Sequence, residues 1–364
     1  MKETRLRNIW KIGLIIALIA ALAVGGSGCT GGQRALGWSG VTLAGSELYC
    51  GTTDGRLISL NSSTGTVRWQ VNLEKATGIY GSPLVVGDTV YVTSYGGRVF
   101  AVNAASGALK WSSPTPEEVK LPDAVISGLA ENNGRLFYGS TDGSVYAISA
   151  ADGKIVWSFK NGDKIWGTPV VDRGVVYIGS FDKKVYAISE ADGRELWVFE
   201  AGGVFTSAPV IFNDTVIIGS LDRNLYCLDS ATGAELWRFT AGKWFWGSPA
   251  VIGDQIYAPN TDGSVYVLGG ETGQLIKEHD FGSSFAASPS IVNGQLVVAA
   301  AEDGKVVVID DDSQQTRELA LLDTTVRAPL ASSGEIVFIH SQTNETIFAV
   351  NALTGARVWE YRVS

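Results

Sequence analysis

Side chains able to do chemistry are sparse in this chain of 364 residues. Its two histidines are His279 and His340, and its three cysteines are Cys29, Cys50 and Cys227. A zinc centre or an activated nucleophile needs several such groups to converge. The histidines lie far apart and no cysteine neighbours either, so each reads as a surface or packing residue. No P-loop, dinucleotide fingerprint or Gly-x-Ser-x-Gly elbow is present. What the chain does hold is flat rings: Tyr80, Trp166, Phe205, Trp244, Phe245, Trp246 and Phe285 stand just ahead of short aliphatic runs. Such rings can form a recognition surface, or they can pack beneath loops. Both readings stand, and Lys243-Trp244-Phe245-Trp246 is the stretch hardest to bury completely.

The elements that position these rings come from a repeat. Turn glycines recur at Gly65, Gly107, Gly153, Gly193, Gly233, Gly273 and Gly355, with a degenerate turn near Ser313, which gives eight copies. Each copy holds four short runs rich in apolar and β-branched residues, for example Pro169 to Val171, Val175 to Ser180, Val185 to Ser189 and Glu195 to Phe199. Asp-Gly pairs at Asp54, Asp142, Asp262 and Asp303 join the second and third runs as hairpin turns. The expectation is an all-β, eight-bladed propeller of four-stranded antiparallel blades over residues 38–364, monomeric and without an unprotected sheet edge once the ring closes.

A tryptophan follows four residues after the turn glycine at Trp69, Trp111, Trp157, Trp197, Trp237 and Trp359. Each should pack against the neighbouring blade. Lys277 and Arg317 stand at the equivalent places in copies six and seven, so those seams should be softer or differently packed. In this order Cys50 and Cys227 fall on opposite sides of the ring, too far apart for a disulfide.

The first run of each blade should line the channel. Leu84 to Val86, Val170 to Val171, Val210 to Phe212, Ala250 to Ile252, Ser290 to Val292 and Leu330 to Ala331 carry no carboxylate, and Glu131 and Asp172 come only at run ends. Hard cations need several oxygens, usually charged, so no metal site is expected. The aromatic set should gather at one channel mouth, on the face of the Asp-Gly turns. The connection Ser112 to Val125 is the longest between blades and carries three prolines. It reads either as a preorganised docking loop or as a loop without a role.

Residues 1–28 differ from the rest. Lys2, Arg5, Arg7 and Lys11 precede an apolar run from Ile12 to Val24 and then small residues, the pattern of a signal peptide. Its removal takes four basic groups and one acid, so the net charge moves from −9 to −12. Nucleic acid is thereby disfavoured as a partner, and basic protein patches are favoured electrostatically. The small residues before Cys29 resemble a bacterial lipobox, which implies a diacylated Cys29 and a short tether over 29–37. Gly26 stands where a lipobox carries an aliphatic residue, and the competing reading is an ordinary secretory peptide with an incidental cysteine.

The segments Ser230 to Trp237 (SATGAELW) and Ala352 to Trp359 (ALTGARVW) resemble the tryptophan-docking motif of PQQ-like propeller repeats, over roughly residues 38–364. The overall resemblance is to BamB-like lipoproteins of the β-barrel assembly machinery. It implies a non-catalytic, lipid-anchored scaffold in the cell envelope, on the outer membrane or the outer face of the plasma membrane, holding other envelope proteins. The same repeat builds quinoprotein dehydrogenases, which implies as the alternative a PQQ or small-molecule binder, or a quinone-dependent oxidoreductase. The vicinal cysteines and long insertions of those enzymes are missing here, so no catalytic residue is carried over and no cofactor is expected. A sensor ectodomain for wall glycans is the third reading.

Overall fold

A computed structural model describes residues 39–73, 77–114, 124–293, 295–299 and 303–363, with residues 295–299 described by their backbone. The expected signal peptide 1–28, lipidated Cys29, tether 29–37 and residues 115–123 of the long connection lie outside the described residues.

Within them the chain forms four-stranded antiparallel sheets in strict sequence order, here numbered 1 to 8, over 41–72, 84–113, 130–160, 170–200, 210–240, 250–280, 290–321 and 331–362. In sheet 4 the strands are Val170–Asp172, Val175–Gly179, Lys184–Ser189 and Glu195–Glu200. The middle two strands are buried almost continuously, whereas the fourth alternates buried and exposed residues. Strands covered on both faces tolerate unbroken aliphatic runs; an outer strand with one wet face does not. The core therefore lies between sheets. One cluster joins Tyr177, Val185, Ala187 and Trp197 of sheet 4 to Val216, Ile218, Tyr226 and Leu228 of sheet 5, with Phe205 from the connection. Another joins Phe338, Ile347 and Ala349 of sheet 8 to Val41, Leu48 and Ile58 of sheet 1, which closes the ring.

Glycine and tryptophan of the repeat meet across a seam. The Trp197 Nε1 donates to the Ser230 carbonyl at 2.9 Å, and the indole covers Gly233, where a Cβ would lie 2.5 Å from Cε3. Gly233 also has φ +72°, so both backbone and space require glycine there. The same donation to the next sheet is made by Trp69, Trp111, Trp157, Trp237 and Trp359. Trp197 also packs on Tyr177 of its own sheet, ring centroids 5.8 Å apart.

The expectation of an eight-bladed propeller is corrected by the strand registers. Seven sheets share one construction, in which the pairing of third and fourth strands slips just after the residue opposite the docking position, as between Ser59 and Leu60 or Ala187 and Ile188. Sheet 7 departs: its slip falls earlier, between Val306 and Val307. The chain is thus seven blades of the repeat type plus one irregular four-stranded sheet. Its turn carries Gln314, φ 54°, in place of the glycine. The early slip brings Arg317 opposite Val308, where its guanidinium donates to the Ala352 carbonyl as an indole does elsewhere. Between sheets 6 and 7 indole and glycine are lost together. Lys277 is exposed, and Gln314 Nε2 donates to the Asp311 carbonyl at 2.7 Å and to the Tyr257 hydroxyl at 3.0 Å. The His279 Nε2 lies 3.1 Å from Gln314 Oε1.

Candidate functional site: the axial cavity and the outer rim

The segments entering each first strand converge on the axis. Their backbones approach closely enough to exclude side chains: a Cβ on Gly81 would lie 2.4 Å from the Ser127 carbonyl, and one on Gly167 2.5 Å from that of Ser207. Hydroxyls stitch them together. Gly128 N–H donates to Thr168 Oγ1 at 3.0 Å, Ser248 N–H to Ser288 Oγ at 3.0 Å, and Thr93 Oγ1 to the Ser127 carbonyl at 2.7 Å.

The same segments line a cavity of about 150 Å³, with Tyr80, Trp166, Trp246, Ser207 and Arg327 among its lining. Tyr80 packs against Tyr95, centroids 5.3 Å apart, and Trp166 against Phe181 at 4.5 Å. Burial first, then Tyr95 and Glu345, pushes the Tyr80 hydroxyl up to about 12, so it is a neutral donor at physiological pH. Ser207 is 7% exposed, and its Oγ has no hydrogen-bond partner.

The expected aromatic face divides. Tyr80, Trp166 and Trp246 line the cavity. Phe205, Phe245 and Phe285 are 0–1% exposed inside the clusters between sheets. Trp244 is half-buried beside a hairpin turn, its N–H donating to Thr261 Oγ1 at 3.0 Å. Sequence reasoning by residue type missed Arg327 and Ser207. Position would have found Arg327, because it occupies the place in the repeat held by Tyr80, Trp166 and Trp246.

Two further readings are corrected. His340 does have a cysteine neighbour: Cys50 Sγ lies 3.3 Å from its Nδ1, across the junction of sheets 8 and 1. The Ser39 carbonyl, 2.7 Å from Nδ1, can only accept, so that nitrogen carries the proton. Burial, with Glu345 second, pushes the Cys50 thiol far above its ordinary value, while burial holds His340 below its own. A thiol so shifted is a poor nucleophile, and this pair is a packing contact. Glu131 lies inside the first strand of sheet 3, Ala130–Asn132, rather than at its end, and it caps the turn by accepting from Gly134 N–H at 2.8 Å. Among the described residues no three His, Cys, Asp or Glu converge as metal ligands, and Cys50 and Cys227 are both free and buried.

The outer rim is uneven. On the fourth strands of sheets 3 to 6, Ile155, Val156, Leu196, Val198, Leu236, Leu275 and Ile276 are 44–55% exposed. The fourth strands of sheets 1, 2, 7 and 8 expose one such residue each, Val67, Leu109, Leu321 and Val358, as sheet 5 does with Leu236, whereas sheets 3, 4 and 6 expose pairs.

Comparison with known proteins follows the same lines. The family described as "Beta-alanine-activating enzyme, beta-propeller" matches residues 79–364, and that described as "Outer membrane protein assembly factor BamB" matches residues 9–131. BamB from Moraxella catarrhalis is similar at 28% identity, TM-score 0.62, over 75% of this chain and 82% of that one. The computationally designed Ika8 protein shares the fold at 17% identity, TM-score 0.76, over 88% and 98% of the two chains. A europium-containing methanol dehydrogenase does so at 17% identity, TM-score 0.65, over 79% and 78%. No curated protein sequence matches.

Proposed function

We propose, from the premise that this chain belongs to the family of PQQ-like β-propellers described by the beta-alanine-activating enzyme propeller and is close to BamB, that it is a non-catalytic scaffold holding another protein in the cell envelope. Outer-membrane protein assembly is the process it serves, and an acylated Cys29 tethers it to the membrane. The observation that carries this reading is the aliphatic outer rim, with exposed pairs on sheets 3, 4 and 6. Exposed outer strands bearing apolar side chains are a liability unless something covers them. On sheets 3 and 4 the strands are locked by Trp157 and Trp197, so the surface they present is rigid and needs little ordering on binding.

Capture from membranes after mild crosslinking tests the reading. The wild-type chain should recover an envelope protein, and the L196E/V198E double variant, changed only at exposed positions, should lose it. Equal recovery by both, together with unchanged barrel-protein levels in a deletion strain, would count against it. Incorporation of a labelled acyl chain, lost in C29A, checks the tether separately.

A further inference from the structure

We propose that the Asn161-Gly162 step is a self-modification site, at which the folded chain converts Asn161 to isoaspartate and aspartate through a cyclic imide. The imide forms when the Gly162 nitrogen attacks Asn161 Cγ, so the reaction turns on whether either group is already held. Glycine in the second position offers no side chain to obstruct that attack. Other Asn-Gly and Asp-Gly steps of the repeat share this property, and the fold restrains them. In the Asp-Gly turns at Asp54, Asp142, Asp152, Asp192 and Asp262 the glycine N–H is donated to a carbonyl, as Gly143 donates to Ser140 at 3.1 Å and Gly193 to Ser189 at 2.9 Å. At Asn133-Gly134 both ends are held: the Gly134 N–H donates to Glu131 Oε1 at 2.8 Å, and Asn133 Nδ2 donates to Glu190 Oε1 at 3.3 Å.

Asn161-Gly162 has neither restraint. Gly162 is exposed at φ +123°, with nothing within 4 Å of where a Cβ would stand, and its N–H has no acceptor among the described residues. Asn161 Oδ1 accepts from the Asp163 N–H at 3.3 Å, which polarises Cγ and stabilises the oxyanion that forms there. Asn161 Nδ2 has no hydrogen-bond partner to retain it. The Gly162 nitrogen gives its proton to hydroxide and bonds to Cγ; the Cγ–Nδ2 bond then breaks, and ammonia leaves with a proton from water. A second water opens the imide at the main-chain carbonyl to give isoaspartate, or at the side-chain carbonyl to give aspartate. Nothing is oxidised or reduced: the net change is one water consumed and one ammonia released. Either product replaces a neutral amide by a carboxylate. The iso product also lengthens the connection that carries Ile165 into the core between sheets 3 and 4. None of this depends on the rim, so the site stands or falls apart from the scaffold reading.

The experiment incubates the full chain, folded in mild detergent, in mildly alkaline water labelled with oxygen-18, beside a sample unfolded in guanidinium. Peptide mapping reads label at each position, and enzymatic methylation counts isoaspartate. In the folded chain, position 161 should convert about tenfold faster or more than position 133, the factor that a hydrogen bond to a carboxylate supplies. The two rates should converge in guanidinium. E131A, which frees the Gly134 N–H, should speed conversion at position 133 several-fold and leave position 161 unchanged. Should E131A fail to fold by circular dichroism, the folded and unfolded wild-type samples carry the comparison. Equal rates at the two positions in the folded chain, faster conversion at any of the five Asp-Gly turns, or no product at position 161 while the unfolded chain converts would each overturn the proposal.

Discussion

The seam between sheets 4 and 5 and the two seams flanking sheet 7 solve the same packing problem with different chemistry. In the first, Trp197 covers Gly233, donates to the Ser230 carbonyl and stacks near Tyr177. Beside sheet 7, the carbonyls at the equivalent places are met by Gln314 and Arg317. The acceptor is satisfied in every case, but the buried ring is not replaced. Between sheets 6 and 7 that carbonyl is met from within its own turn, so what the indole seams add is a buried ring that bridges the two sheets. Where the indole is lost, the glycine that seats it can go as well, as it has at Gln314, or the neighbouring backbone can move in. At Gly355 a Cβ would lie 2.2 Å from the Leu319 carbonyl.

The comparison breaks most visibly at the indole. W197A should cost about 3–5 kcal/mol, read as a fall in melting temperature, since a large buried ring leaves a cavity. G233A should cost about 2–4 kcal/mol, because the added methyl meets the indole and φ is positive. A loss of less than about 1 kcal/mol in either would show the seams to be equivalent. A double-mutant cycle sharpens the contrast: K277W and Q314G together should show a favourable coupling of about 1–2 kcal/mol, absent from either alone, if indole and glycine are one unit.

Acid should act on the histidine seams. Burial lowers the pKa of both His279 and His340, so the folded state binds fewer protons than the unfolded chain. Stability is then complete above the ordinary histidine value of about 6.5 and falls as pH drops below it. H279Q should flatten part of that decline in melting temperature between about pH 6.5 and 5, whereas an unchanged slope would remove His279 from the account. K277A, at an exposed side chain, should change stability by less than about 0.5 kcal/mol.

The sequence made the repeat, the strand order and the six indole seams readable, because the spacing from Gly193 to Trp197 or Gly233 to Trp237 is local. The early slip in sheet 7 was not readable, because it is set by pairing between Val306 and Ala320 rather than by any residue type. Counting from Ser313 still found Arg317, although the turn residue is Gln314. The aromatic face was half legible. Ring type placed Phe205 and Trp166 together, but they hold adjacent places in the repeat: Phe205 shares the buried place of Ile165, Phe245 and Phe285, and Trp166 the next, which lines the cavity. The Cys50–His340 contact arises from ring closure, which joins residues from opposite ends of the propeller and leaves no local trace.

Amide hydrogen exchange on the free chain reads the seams directly, strand by strand. If indoles set local stability, the third strand of sheet 7, Lys305–Asp310, should lose protection before Lys184–Ser189 and Asn224–Asp229 of sheets 4 and 5. Equal or slower exchange in Lys305–Asp310 would contradict the claim that the buried ring, rather than the satisfied carbonyl, holds neighbouring sheets together.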